Sequence, residues 1–304
     1  MTTNREDMTS PESLRFRQTS VEILNDFFIN LNERNKDNLR SLSTCSGAFK
    51  DKRLFEYILL MCEELRLDLP VAYHAVVLLR RFMVKHVTHL LTRGGAREAE
   101  ASAREDAAFK KIRDNFALMV LSCVQLASKL SLQSQIVEIN KAVRFLRSVG
   151  LNFSKEDVLK SELMVLNGLQ FQLDPPNPLT YVEVLLEVLG HNESSAPVER
   201  LHHICCHVLQ FVSLQHDALY DALLAVTTQS PHPTAEQREK FMPVTEDCML
   251  LGVGVIAAGA FILHVGDWQQ VVQELSHITG ISTTSICSFA QVTLALLMGT
   301  PSDV

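Results

Sequence analysis

Aromatic side chains are scarce, at 7% of the chain with one tryptophan, while Leu, Val and Ala fill the long apolar runs. That balance suits an all-helical core. Excess positive charge is also missing: the net charge of −7 excludes a general affinity for nucleic acid. Seven cysteines is an odd number and none sits in a Cys-x-x-Cys pair, so buried thiols in a reduced nuclear or cytosolic protein are expected. The first 17 residues have no apolar core, so no secretory signal peptide is expected. No phosphate-binding glycine loop, no GxSxG and no HExxH occurs, and the histidines join no nucleophile pattern. An enzyme is not expected, and no catalytic residue, cofactor or metal is assigned.

What is present is helical periodicity over a length sufficient for two domains, 304 residues. Residues 1–17 are polar and charged and read as a disordered tail. Val21, Leu24, Phe28 and Leu31 share one face and predict a short helix over 19–32 on the first domain. The pattern returns over 52–67, and Pro70 suits the first turn of a helix through Val87. Gly94-Gly95 opens a stretch rich in Ala, Arg and Glu, read as a flexible, partly helical insertion at about 92–110. Helices are expected over 116–130 and 135–149. Ser154 and Asp157 form an acidic capping box that starts another.

The first domain is therefore expected over 18–176, and the proline-rich run 174–178 reads as a linker. A second domain over 177–300 is expected, with helices at 178–189, 197–215, 217–227, 245–265, 267–278 and 282–298. Its longest break is 228–243, and its most apolar helix again lies mid-group.

Three stretches carry a resemblance. They are Ala75-Val76 followed by Arg80-Arg81-Phe82, then Leu126-Ala127-Ser128-Lys129, and 155–173 with Val158, Leu159, Glu162, Val165, Leu166 and Phe171. They are similar to the second, third and fifth helices of a cyclin box, and the resemblance covers roughly 50–180. It implies an all-α fold: a cyclin-like five-helix box followed by a second, degenerate cyclin-like helical domain. In that family the lysine and glutamate face the kinase and bond backbone groups at the end of its regulatory helix. The resemblance thus implies that Lys129 donates to carbonyls, and Glu162 accepts from amides, of a cyclin-dependent kinase. The alternative is that the two pair with each other on a solvated surface.

The degraded first helix and the Ala/Arg/Glu insertion resemble a divergent cyclin-like branch. That likeness implies a role in meiotic crossover formation, on chromosomes in the nucleus with a cytoplasmic pool also admitted. Recombination or replication proteins are the partners implied. An adaptor that gathers such factors without activating a kinase is the competing reading, and neither sequence-specific nucleic-acid binding nor a membrane is expected.

Three departures from the family pattern stand out. Arg80 replaces the usual acid before Arg-Phe, and a gapless register puts Asp51 where an arginine is usual. A structural Asp51–Arg80 pair of swapped polarity is the reading favoured; a two-residue slip would instead set Arg53 against Arg80, which is costly if buried. Leu130-Ser131-Leu132 lacks the usual aromatic and acidic residues after the lysine. Lys50, Arg53 and Tyr57 occupy positions of an apolar substrate groove, which is expected to be altered or absent.

Other candidates are weighed against blander readings. His202, His203, Cys206 and His207 fall four apart in pairs, yet zinc needs three or four ligands and no second pair stands out. Residues 249–265 are apolar with small residues four apart at Gly254 and Ala258, but at 17 residues they read better as a buried core helix. Ser10, Ser230 and Thr300 each precede proline and are minimal phosphorylation sites. Arg80, Arg81, Lys85 and Arg93, with His86 and His89, make a basic strip that could touch DNA or an acidic partner or simply face solvent, and the net charge of −7 argues against DNA as the main ligand.

Overall fold

The computed structural model describes residues 16–42, 49–92, 98–131, 135–265 and 268–299, with side chains left out at 89–92, 98–106 and 108. The tail with Ser10, the Gly94-Gly95 pair, Arg93 and Thr300, and the side chain of His89, lie outside the described residues. Apolar residues three and four apart recur throughout, and among the described residues they fold into thirteen helices with no strand.

The first five-helix box comprises α2 (Lys52–Glu64), α3 (Leu69–Thr92), α4 (Glu98–Leu130), α5 (Ile139–Ser148) and α6 (Lys155–Gly168). Its central helix is α4, whose segment 118–128 is buried throughout and packs on α2, α3 and α6. Small side chains such as Val120, Cys123 and Ala127 let neighbours close on it from several sides. Ser154 caps α6 through the reciprocal bond with Asp157 that the sequence predicts. Gly168 ends α6 against the Phe82 ring, where a Cβ would come within 2.7 Å of the ring edge. Within the expected insertion, residues 98–110 are helical and extend α4 towards its N-terminus. Alanine, glutamate and arginine are strong helix formers, so the same composition supports a helix.

The second group follows: α7 (Pro178–Asn192), α8 (Val198–Leu214), α9 (His216–Thr228), α10 (Ala235–Glu246), α11 (Cys248–Ile262), α12 (Trp268–Thr279) and α13 (Thr283–Leu297). Here α11 is central, buried from Met249 to Ala260 apart from a half-buried Leu251, and covered by α7, α8, α12 and α13. Gly254 admits the Phe289 ring so closely that any Cβ would overlap it. Asp247 caps α11 by accepting from the amides of Met249 and Leu250. Among the described residues no single helix is long and apolar enough to cross a membrane. Only α10 and α11 together pass that test, as a pair bent by 73°. The break expected at 228–243 is corrected: it contains α10, capped by Thr234 and Gln237. Pro243 reads as a breaker but is accommodated inside the last turn of this short helix.

A further correction concerns α1 (Val21–Arg40), which packs on α7, α10 and α11 of the second group. Phe16, Leu24 and Leu31 enter the second core. Arg17 donates to the carbonyls of Gly190, Ser194 and Ala196, while Glu187 accepts from its amide. The helix outlasts its apolar stripe because Asn35 continues the buried face by hydrogen bonding. Its amide donates to Asp247, and its oxygen accepts from the Cys248 amide.

Candidate functional site

The seam between α4 and α6 sets the geometry of Lys129 and Glu162. Ser122 and Ser161 meet at 2.8 Å inside it, fully buried, and fix the two helices side by side. Two turns beyond Ser122, α4 reaches the surface at Lys129; one residue beyond Ser161, α6 presents Glu162. There the Lys129 ammonium donates to Glu162 Oε1 at 2.6 Å, with side-chain exposures of 41% and 14%. The structure brings the two predicted residues together, bonded to each other.

The residues around this pair are apolar and exposed. Leu159 and Leu163 share the outer face of α6 with Glu162, each 55% exposed, and Leu130 follows Lys129. The chain after α4 is held by a polar clamp that apolar periodicity does not reveal. Ser128 Oγ accepts from the Val137 amide, and Gln125 Nε2 donates to the Val137 carbonyl. With Val137 pinned inward, Ile136 points to solvent. The result is an ion pair of an exposed ammonium and a largely covered carboxylate, flanked by aliphatic side chains.

The expected Asp51–Arg80 pair is corrected. Asp51 is the N-cap of α2 and accepts from the Arg53 amide. Arg80 instead contacts Glu246, at the end of α10, at 3.4 Å. Lys50 forms an ion pair with the same carboxylate at 2.9 Å and donates to the Thr245 carbonyl at 2.6 Å. An acidic residue supplied from the second group pairs with both cations of the first, in place of a carboxylate on α2. Lys50 is 9% exposed and Glu246 10%, which also places Lys50 between the two groups and away from any outer groove.

Burial, and then the neighbouring Arg80, hold the Lys50 ammonium below its usual pKa against the pull of Glu246. A cavity of about 100 Å³ adjoins the cluster, lined also by Tyr73 and His216. Burial, with Lys50 next, lowers His216 from 6.5 to about 4, so its ring is neutral near pH 7. Arg80 Nε and His216 Nε2 are buried there without a hydrogen-bond partner among the described residues.

The remaining candidates fall into structural roles. Cys205 and Leu209 are fully buried, and His203 and His207 contact each other edge to face. His202 lies 3.3 Å from Glu183 and 3.6 Å from the Cys206 sulfur. Among the described residues no group of three or more His, Cys, Asp or Glu is gathered for a metal. The six described cysteines are unpaired thiols, and burial pushes Cys62 up to about 12. Ser230 is half-buried in the turn between α9 and α10.

Comparison with known proteins agrees with this architecture. The family model for the cyclin N-terminal domain matches residues 26–174. Cyclin N-terminal domain-containing protein 1 of Homo sapiens is 38% identical over 284 residues, covering 92% of this chain and 86% of that relative. The protein of the same name from Mus musculus is 36% identical over 298 residues, covering 97% and 89% respectively.

Proposed function

This chain belongs to the family of cyclin N-terminal domain-containing protein 1, and we propose that it is a non-catalytic regulator that docks a cyclin-dependent kinase. Members of the cyclin-fold family regulate rather than catalyse, and the domain is a protein-interaction fold. The observation that carries the proposal is the exposed Lys129–Glu162 pair within its aliphatic ring. A surface ion pair contributes only ~0–1 kcal/mol, so it exchanges readily for bonds to a partner. Charge-assisted bonds to kinase backbone groups would contribute roughly 1.5–3 kcal/mol each once water is excluded. Lys129 has donors for carbonyls at a helix end and Glu162 accepts from amides, while Leu130, Leu159 and Leu163 supply apolar contact. Holding the kinase helix in this way assembles the kinase's own Lys–Glu pair.

The wider role proposed is promotion of meiotic crossover formation and maturation of recombination intermediates in the nucleus, coupled to cell-cycle progression. The likeness to a crossover-associated cyclin-like branch supports that role; the chemistry of the site is silent on it. A second reading is favoured by one observation: Lys129 and Glu162 already satisfy each other, and no acid follows Lys129 in Leu130-Ser131. In that reading the fold is an adaptor for recombination or replication proteins. Adding the purified protein to a cyclin-dependent kinase and measuring phosphorylation of a peptide substrate separates them. A regulator raises the rate, and Lys129→Ala/Glu162→Ala abolishes the rise; an adaptor leaves the rate unchanged.

A further inference from the structure

A groove of about 950 Å³ runs between α1, the C-terminal half of α3 and the linker 171–176. Its walls carry Arg34, Arg81 and Lys85 beside Phe171, Pro175 and Tyr181. The linker that floors it is fixed by its own backbone. Arg81 donates to the Gln172 carbonyl and Arg34 to the Asp174 carbonyl, both at 3.0 Å, and the His74 ring bonds the Leu173 carbonyl at 2.7 Å. These bonds use one guanidinium nitrogen of Arg34 and two of Arg81, whose second bond is to the Gln172 amide oxygen at 3.4 Å. Among the described residues neither arginine meets a carboxylate.

Of the acids lining the groove, Asp37 is paired with Arg40 and Glu246 with Lys50 and Arg80. That leaves Asp174 alone against three cations on a chain whose net charge is −7. Arg81 and Arg34 bond carbonyls two residues apart on the linker, which sets two like charges side by side, and burial, with the like charge of Arg34 next, lowers the pKa of Arg81. An anion entering between them relieves that repulsion. Phe171, 64% exposed in a left-handed conformation, stands at the rim as an aromatic platform.

We propose that this groove binds an extended acidic peptide segment of a partner protein, its carboxylates bonded by Arg34, Arg81 and Lys85 and its apolar side chains seated on Phe171 and Pro175. A peptide fits better than a nucleic acid, because the cations are confined to one groove with apolar walls while the whole chain repels a polyanion. The basic strip seen in the sequence is thereby divided. Arg80 is consumed within the fold, and Arg81 and Lys85 are turned to the groove. This surface is separate from Lys129 and Glu162, so its failure leaves the kinase reading standing.

Fluorescence anisotropy of a labelled peptide of repeating Glu-Glu-Pro-Leu tests the proposal. Saturable binding is expected, weakened about tenfold by Lys85→Glu and by Arg34→Glu and unchanged by Lys155→Glu on α6. Lys85 is exposed, and its reversal spares the linker bonds, so a folding defect cannot mimic the loss. Absence of saturable binding, or equal affinity in the wild type and both groove variants, overturns the proposal. Displacement of the peptide by a sub-stoichiometric oligothymidylate, with the same dependence on Lys85, would reassign the groove to nucleic acid.

Discussion

Lys129–Glu162 and Lys50–Glu246–Arg80 are both ion pairs at bonding distance, yet burial gives them opposite work. The first sits at the rim of the α4–α6 seam, with Lys129 41% exposed. Glu162 is only 14% exposed, but water reaches the Lys129 ammonium and screens the pair from that side, so it adds little to stability and the lysine remains available to a partner. The second lies between the two helical groups with Lys50 and Glu246 about nine-tenths covered. There, desolvation is costly and each charge depends on the other, so the cluster locks position. Similar chemistry thus yields a surface for docking in one place and a pin in the other.

The sharpest way to break this comparison is to remove the acid from each pair. Glu246→Ala leaves Lys50 buried beside Arg80 and is expected to cost about 3–5 kcal/mol in urea unfolding. Lys50→Met/Glu246→Met should cost less than Glu246→Ala, since only the partly exposed Arg80, and no longer the more deeply buried Lys50, is left without its acid. If Glu246→Ala proves no more harmful than Glu162→Ala, the pin does not exist.

Next in size is a pH effect on the buried cluster. His216 is depressed from 6.5 to about 4 in the folded protein, so the unfolded chain binds the extra proton across that interval. Its contribution to stability is fully present above 6.5 and falls as pH drops towards 4, by up to about 3 kcal/mol. Thermal melts across this range should show a slope that His216→Gln flattens. A slope unchanged by the substitution would assign the acid sensitivity to other groups.

The smallest effect belongs to the surface pair. Lys129→Ala/Glu162→Ala is expected to change folding stability by less than about 1 kcal/mol. A loss of several kcal/mol would mean that the pair holds α4 to α6, and would undercut its assignment to docking.

The first box was legible where the chemistry is local. Ser154 and Asp157 are three residues apart, and the apolar run ending at Lys129 declares both its burial and its exit to the surface. The ion-pair network was not legible, because Arg80 finds its partner 166 positions away at Glu246 and no spacing rule spans that distance. The seat of α1 was missed for a related reason. Asn35 is polar, so a search for apolar periodicity stops at Leu31, while its amide bonds to Asp247 and Cys248 carry the helix onto the second group. A polar sequence containing Pro243 hid α10, although Thr234 and Gln237 offered a capping signal. Within the candidate site, Ser122, Gln125 and Ser128 went unnoticed because small polar residues in an apolar helix read as filler until their partners are seen.

The most direct test titrates purified cyclin-dependent kinases against the wild type and Lys129→Ala/Glu162→Ala by calorimetry, after circular dichroism confirms equal helicity. The account predicts that at least one kinase binds the wild type and that the double variant loses about tenfold or more in affinity, from bonds of roughly 1.5–3 kcal/mol each. Equal affinity for both proteins, or no binding by either, would contradict a cyclin-type interface at this site.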